Sequence, residues 1–111
     1  MACIFCKIVS GEVPTNILYE DEFVCAFHDI NPVAPVHVVL ISKGHLERID
    51  TPGVEKIAGH VILAVSKLAA TLGLSEDGFR VVSNAGQYGG QTVNHLHFHL
   101  LGGRRLEWPP G

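Results

Sequence analysis

The stretch His95-Leu96-His97-Phe98-His99-Leu100 limits the fold more than any other part of the chain. Imidazole and apolar side chains alternate strictly, and only an extended strand gives that pattern two consistent faces. His95, His97 and His99 line one face, roughly 6–7 Å from one to the next. Leu96, Phe98 and Leu100 line the other, which another layer of the domain has to cover. One segment suits that task. Over residues 51–72, Val54, Ile57, Ala58, Val61, Ala64, Val65, Leu68, Ala69 and Leu72 recur at helical spacing, with Glu55, Lys56, Ser66 and Lys67 on the opposite side. Thr51 is the expected cap, Pro52 the first helical residue and Gly73 the stop.

The remaining elements follow from punctuation. Residues 3–9 form a short helix stopped by Ser10-Gly11. Residues 16–20 and 23–27 pair as a hairpin through Glu20-Asp21-Glu22. Asn31-Pro32-Val33-Ala34-Pro35 is a loop, because each proline lacks a donor and turns its predecessor away from helix. Residues 36–42, continuous in Val and Leu, are a central strand. Residues 79–84 are a fourth strand, 85–92 a glycine-rich loop and 95–101 the fifth strand. No repeat or linker divides residues 1–111, so the expectation is a single α+β domain with an antiparallel sheet, one long helix and one short helix.

Composition removes several function classes. Lys and Arg total 8 against 11 Asp and Glu, a formal charge of −3, so no basic stripe is available for nucleic acid. Hydrophobic residues at 47% and charged residues at 17% exclude a disordered chain. The longest apolar run, residues 36–41, is short and interrupted by His37, so no membrane span is expected. No secretory pattern is visible at the start. The cysteines are odd in number, with Cys25 alone in an apolar run, so a reducing, cytoplasmic setting is expected.

A row of imidazoles held on a strand can supply a neutral nucleophile beside donors to an anion, because histidine titrates near neutral pH. The bland alternative, a polar outer face, requires the same residue type three times at the same spacing. One metal cannot collect all three: positions i, i+2 and i+4 span roughly 13 Å, against Zn–N distances near 2 Å. Just upstream, Gly89-Gly90 lets backbone approach a ligand, and Asn84, Gln91 and Thr92 add uncharged donors. No Walker A spacing is present.

Cys3-Ile4-Phe5-Cys6 has three readings: a redox pair, half of a zinc site, or two core residues. With His45 and His95 it makes a Cys2His2 set that would pin the N-terminus to the sheet. His37, between Val36 and a central strand, is either a buried structural histidine or an orienter for the row.

His95-Leu96-His97-Phe98-His99-Leu100-Leu101 resembles the signature of the histidine triad (HIT) superfamily, His-φ-His-φ-His-φ-φ. The likeness extends through Phe27-His28-Asp29-Ile30 and Ala34-Pro35-Val36-His37. The ending Leu101-Gly102-Gly103-Arg104-Arg105 and Trp108-Pro109-Pro110-Gly111 resembles the Hint branch, the histidine triad nucleotide-binding proteins. The resemblance implies a five-stranded antiparallel sheet, doubled to ten strands in a homodimer. It implies binding of purine nucleoside monophosphates and hydrolysis of the P–N bond of nucleoside 5′-phosphoramidates. By position His97 would be the nucleophile, with His95, His99 and His37 completing the catalytic set. Asn84, Gly90, Gln91, Thr92 and His99 would meet the phosphate, and Asp29 the ribose hydroxyls. Ile4, Phe5, Ile8, Phe27 and Ile30 would line the base pocket, and Trp108 would reach the partner's site. No catalytic metal is implied.

Two departures from that branch stand out. Thr92 occupies a common serine position, and animal members lack Cys3 and Cys6. Zinc-containing members of the wider superfamily use such a pair with histidines placed like His45 and His95, which implies a structural zinc. A zinc-bound His95 could not also relay protons. The alternatives are a dinucleoside polyphosphate hydrolase and a nucleotide-binding adaptor with incidental activity.

Overall fold

The computed structural model describes residues 3–111. The elements in chain order are α1 (Ile4–Ser10), β1 (Ile17–Glu20), β2 (Val24–His28), β3 (Val36–Ser42), α2 (Glu55–Thr71), β4 (Phe79–Val82) and β5 (His97–Gly102). The strands form one antiparallel sheet in the order β1-β2-β3-β5-β4, so the Val-rich third strand lies at its centre.

The β3–β5 register sets the two faces. Val38 lies opposite Leu100 and Leu40 opposite Phe98, whereas Val39 lies opposite His99 and Ile41 opposite His97. Directly paired residues share a face. Val38, Leu40, Phe98 and Leu100 therefore join Leu96 against α2, which contributes Val61, Ala64, Val65, Leu68 and Ala69 to the main core. The histidine face is covered as well. Helix α1 lays Phe5 over Cys25, Phe27, Val39 and Ile41 as a second, smaller core. A short helix with one large buried aromatic is enough to remove His95 and His97 from solvent.

Two boundaries differ from the sequence reading. Strand β5 begins at His97 rather than His95, because Leu96 bonds away from the ladder: its N–H donates to the Leu46 carbonyl at 2.6 Å. Helix α2 begins at Glu55 rather than near Thr51. Gly53 holds φ +99°, which breaks helical continuity, and the Thr51 hydroxyl accepts from the Arg48 N–H at 3.0 Å instead of capping α2. The far end of α2 is as expected. Gly73 takes φ +75°; its N–H reaches the Ala70 carbonyl at 3.3 Å, and the Leu74 N–H reaches Ala69 at 2.8 Å, a double closure with Leu74 buried beneath it.

Asp21 fixes the hairpin that carries one wall of the site. Its carboxylate accepts from the Phe23 and Val24 N–H groups at 2.7 and 2.8 Å and from the Tyr19 hydroxyl at 2.8 Å. Burial opposes its ionisation, but these donors, with His60 nearby, hold its pKa below the ordinary carboxylate value. A depressed folded-state pKa contributes stability above the unfolded value and loses it as pH falls through the folded one. Asp21→Ala should therefore lower unfolding stability by about 1–2 kcal/mol at neutral pH. In urea titrations the gap to the parent should narrow below about pH 4.

Candidate active site

Backbone groups decide which nitrogen of each buried histidine carries the proton. His97 Nδ1 lies 2.6 Å from the His95 carbonyl, which can only accept, so Nδ1 is the protonated nitrogen and Nε2 keeps a bare lone pair. The ring is buried and packs edge-on against Phe5, with centroids 5.1 Å apart. On His37 the polarity reverses. The Val33 N–H donates to Nδ1 at 3.1 Å, so the proton sits on Nε2. That Nε2–H meets His99 Nδ1 at 2.8 Å and the Asp29 carboxylate at 3.3 Å. His99 Nδ1 thus accepts, which leaves its own Nε2–H as a free donor beside His97, whose ring centroid is 5.2 Å away.

Burial lowers the pKa of His99, and the neighbouring His97 and His37 add to that effect against the opposing charge of Asp29. His95 is lowered too, first by burial. Burial thus favours the neutral form of both His95 and His99.

His95 lies with Cys3, Cys6 and His45, the Cys2His2 set read from the sequence. Its side chain does not share the arrangement of His97, His99 and His37. Nε2 donates to the Ser42 carbonyl at 2.8 Å, and Nδ1 points at Cys3 Sγ (3.3 Å), Cys6 Sγ (3.6 Å) and His45 Nδ1 (3.1 Å). With both nitrogens engaged and the ring fully buried, the His95 side chain faces the thiols and His45, away from the His37–His99 pair. What His95 gives the site is its carbonyl, which aims His97.

The four ligand atoms of Cys3, Cys6, His45 and His95 all lie within 4.8 Å of one another. A tetrahedral zinc has N···N and S···N edges of about 3.4 and about 3.6 Å, built from Zn–N and Zn–S bonds near 2.0–2.1 and 2.3 Å. Four of the six edges of this set, at 3.1, 3.2, 3.3 and 3.6 Å, lie within about 0.4 Å of that shape. The donor chemistry fits as well, since the Ser42 bond leaves His95 Nδ1 bare. Burial and the adjoining Cys3 push the Cys6 thiol up, a like-charge cost that a divalent cation would reverse. Asp29, His37 and His99 also cluster, but the Val33 N–H forces the His37 proton onto the nitrogen a metal would need.

Beside the row lies an apolar cleft of about 500 Å³. Ile4, Phe5, Ile8, Phe27, Asp29 and Ile30, all picked out in the sequence, line it. Val13, Pro14, Thr15, Asn16, His28 and Val39 complete it and were missed. Val39 has a readable signal, because alternate residues of a central strand share the face of His37; the 13–16 segment has none, being loop.

The glycine loop is braced rather than loose. The Gly90 N–H donates to the Gln87 carbonyl at 3.1 Å and the Gln91 N–H to Gly86 at 3.0 Å. A Cβ on Gly89 would stand 2.5 Å from the Ala85 carbonyl oxygen, so that position requires glycine. The Gln91 side chain is spent on the brace: its Oε1 accepts from Gly86 N–H at 2.9 Å, and its Nε2 donates to the carbonyls of Glu47 (2.7 Å) and Val93 (3.0 Å). Gln91 therefore shapes the loop instead of offering its amide to a ligand. Asn84 is half-buried and Thr92 exposed at the loop's ends. Trp108 is exposed on the C-terminal tail.

The HIT domain family pattern matches residues 10–106. A HIT-like protein of Synechocystis is 50% identical over 110 residues, covering 97% of this chain and 96% of that protein. Among solved structures, a HIT family hydrolase of Legionella pneumophila superposes with a TM-score of 0.94 at 44% identity, over 99% of this chain and 100% of that one. A histidine triad nucleotide-binding protein of Candida albicans gives 0.85 at 34% identity, over 97% and 83% of the two chains. The chain belongs to the HIT family. No helix among the described residues is long and apolar enough to cross a membrane.

Because His99 binds its proton less readily when folded than unfolded, the unfolded chain takes up the extra proton as pH drops through about 6.5. Stability should consequently fall on acidification from pH 7.5 to 5.5. His99→Asn should flatten that segment of the stability profile, as read by denaturant midpoints at each pH.

Proposed function

We propose that this chain is a hydrolase of nucleoside 5′-phosphoramidates that works through a nucleotidyl-histidine intermediate. The observation that carries the reading is the 2.6 Å anchor of His97 Nδ1 on the His95 carbonyl, which leaves Nε2 bare on a ring packed against Phe5, a wall of the apolar cleft. The likeness to the Legionella hydrolase and the Candida nucleotide-binding protein supports it.

In this reading the purine fills the cleft between Phe5, Ile8 and Phe27, and the phosphoryl group sits against His99 and the glycine loop. The Nε2 lone pair of His97 forms a new bond to phosphorus as the P–N bond of the substrate breaks. The amine departs with a proton taken from solvent, and the water that later attacks phosphorus returns one. The positive charge left on the nucleotidyl-imidazole is eased by Nδ1–H against the His95 carbonyl. The His99 Nε2–H and those loop N–H groups that are not used in the brace stabilise charge on the equatorial oxygens. Water then attacks phosphorus and frees the nucleotide and His97. No catalytic metal enters these steps.

His97→Ala should lower turnover of adenosine 5′-phosphoramidate by at least about a thousandfold while leaving the thermal midpoint within a few degrees. Retention of full activity would overturn the assignment. Running a dinucleoside polyphosphate beside the phosphoramidate separates this reading from the neighbouring hydrolase activity, and a lack of turnover on both would favour an adaptor.

A zinc held by Cys3, Cys6, His45 and His95 belongs to the same reading as a structural element. When bound, it would supply a fixed tether between α1 and the sheet. Elemental analysis of freshly reduced protein is expected to give one zinc per chain. Chelation should lower the thermal midpoint, and Cys6→Ser should abolish the response to chelator.

Assembly as a homodimer completes the proposal. Strand β4 is a sheet edge with Phe79 and Val81 exposed, α2 exposes Ile62 and Leu63, and unpaired apolar edges seek a partner strand. A second copy laid along β4 would extend the sheet to ten strands and bring the exposed Trp108 of one copy toward the other.

A further inference from the structure

We propose that Asp29 is a positioning residue that couples occupancy of the cleft to the proton shared by His37 and His99. The idea rests on the cleft holding a nucleotide, as read above. Asp29 lines the apolar cleft and also touches the imidazole pair. Its Oδ1 is committed to the loop, accepting the Asn31 N–H at 2.7 Å. Its Oδ2 lies 3.3 Å from His37 Nε2, whose proton is directed there and to His99 Nδ1 at 2.8 Å.

One N–H thus faces two acceptors. The Val33 N–H blocks the alternative of moving the proton to Nδ1 of His37. While the cleft is empty, the carboxylate draws on the His37 proton and weakens its bond to His99. A ligand whose sugar hydroxyls donate to Oδ2 satisfies the carboxylate from the other side. The His37 N–H then goes wholly to His99 Nδ1, and His99 is held with its Nε2–H toward the phosphoryl group. No bond is made or broken in this step; a shared hydrogen bond becomes a single one. Sugar recognition would then enter the rate as well as the binding.

Asp29→Asn is the informative variant. It keeps an oxygen for the Asn31 N–H and puts an NH2 donor where the second acceptor stood. The His37 proton is then committed to His99 with or without ligand. Imidazole 15N spectra of the full chain should shift at His37 Nε2 and His99 Nδ1 on saturation with AMP, and less with 2′,3′-dideoxy-AMP. In Asp29→Asn the two nucleotides should give the same spectra. Equal shifts in the parent protein would overturn the coupling.

The kinetic arm compares the phosphoramidates of adenosine and 2′,3′-dideoxyadenosine. Their kcat ratio should be about fivefold or more in the parent and within about twofold in Asp29→Asn. A difference confined to KM, or a kcat ratio unchanged in the variant, would mean that Asp29 only grips the sugar. If neither compound is hydrolysed but the spectral difference persists, the hydrolase reading falls and the coupling stands. If turnover is normal and the spectra are indifferent to the hydroxyls, the reverse holds. Failure of both nucleotides to bind would remove both.

Discussion

Antiparallel pairing of β3 with β5 is the constraint on which the remainder depends. It places Val39 opposite His99 and Ile41 opposite His97. His37 therefore emerges on the histidine face, two residues along from Val39 and within 2.8 Å of His99. A slip of one residue would exchange the faces of β5. It would turn the His97 and His99 imidazoles into the α2 core and expose Phe98 and Leu100. The same apolar contacts that hold α2 to the sheet thus keep the row in register.

The backbone also governs the protonation pattern. Two histidines give a proton to a carbonyl: His97 to His95, and His95 to Ser42. One receives a bond from an amide, His37 from Val33. Each of these three rings has one tautomer compatible with its surroundings. His99 is the exception, since its partner is another imidazole. The fold fixes the bare nitrogen of His97 and the lone pair of His95 that faces the thiols, and it leaves adjustable only His99, whose Nδ1 shares the His37 proton with the carboxylate of Asp29.

Much of this was legible in the residues, and the failures have physical causes. The alternation at 95–100 announced a two-faced strand, and the spacing at 54–72 announced the helix that covers its apolar side. The cleft wall formed by Ile4, Phe5, Ile8, Phe27, Asp29 and Ile30 was reachable through resemblance, because these residues flank recognisable motifs. The start of α2 was misplaced because Thr51-Pro52 is a good start signal overridden by the turn at Gly53. Periodicity says which face the His95 side chain takes and nothing about which neighbour claims it, so the sequence left it shared between the row and the Cys2His2 set, and the structure turns it to Cys3, Cys6 and His45. Gln91 looked like a ligand donor, yet its amide is consumed by three backbone groups whose positions depend on the Glu47 and Gly86 turns.

Helix α1 has a double attachment. The Cys3 sulfur accepts the Cys6 N–H at the start of the helix and also sits 3.3 Å from His95, while Ile4, Phe5 and Ile8 form one side of the cleft. In the proposed reading, chemistry and recognition are consequently mounted on separate parts: the attacking imidazole on the sheet, the surface that greets the base on a seven-residue panel fastened at one end. Descendants of such a chain can restyle that panel, and so change clientele, without disturbing the reactive core behind it.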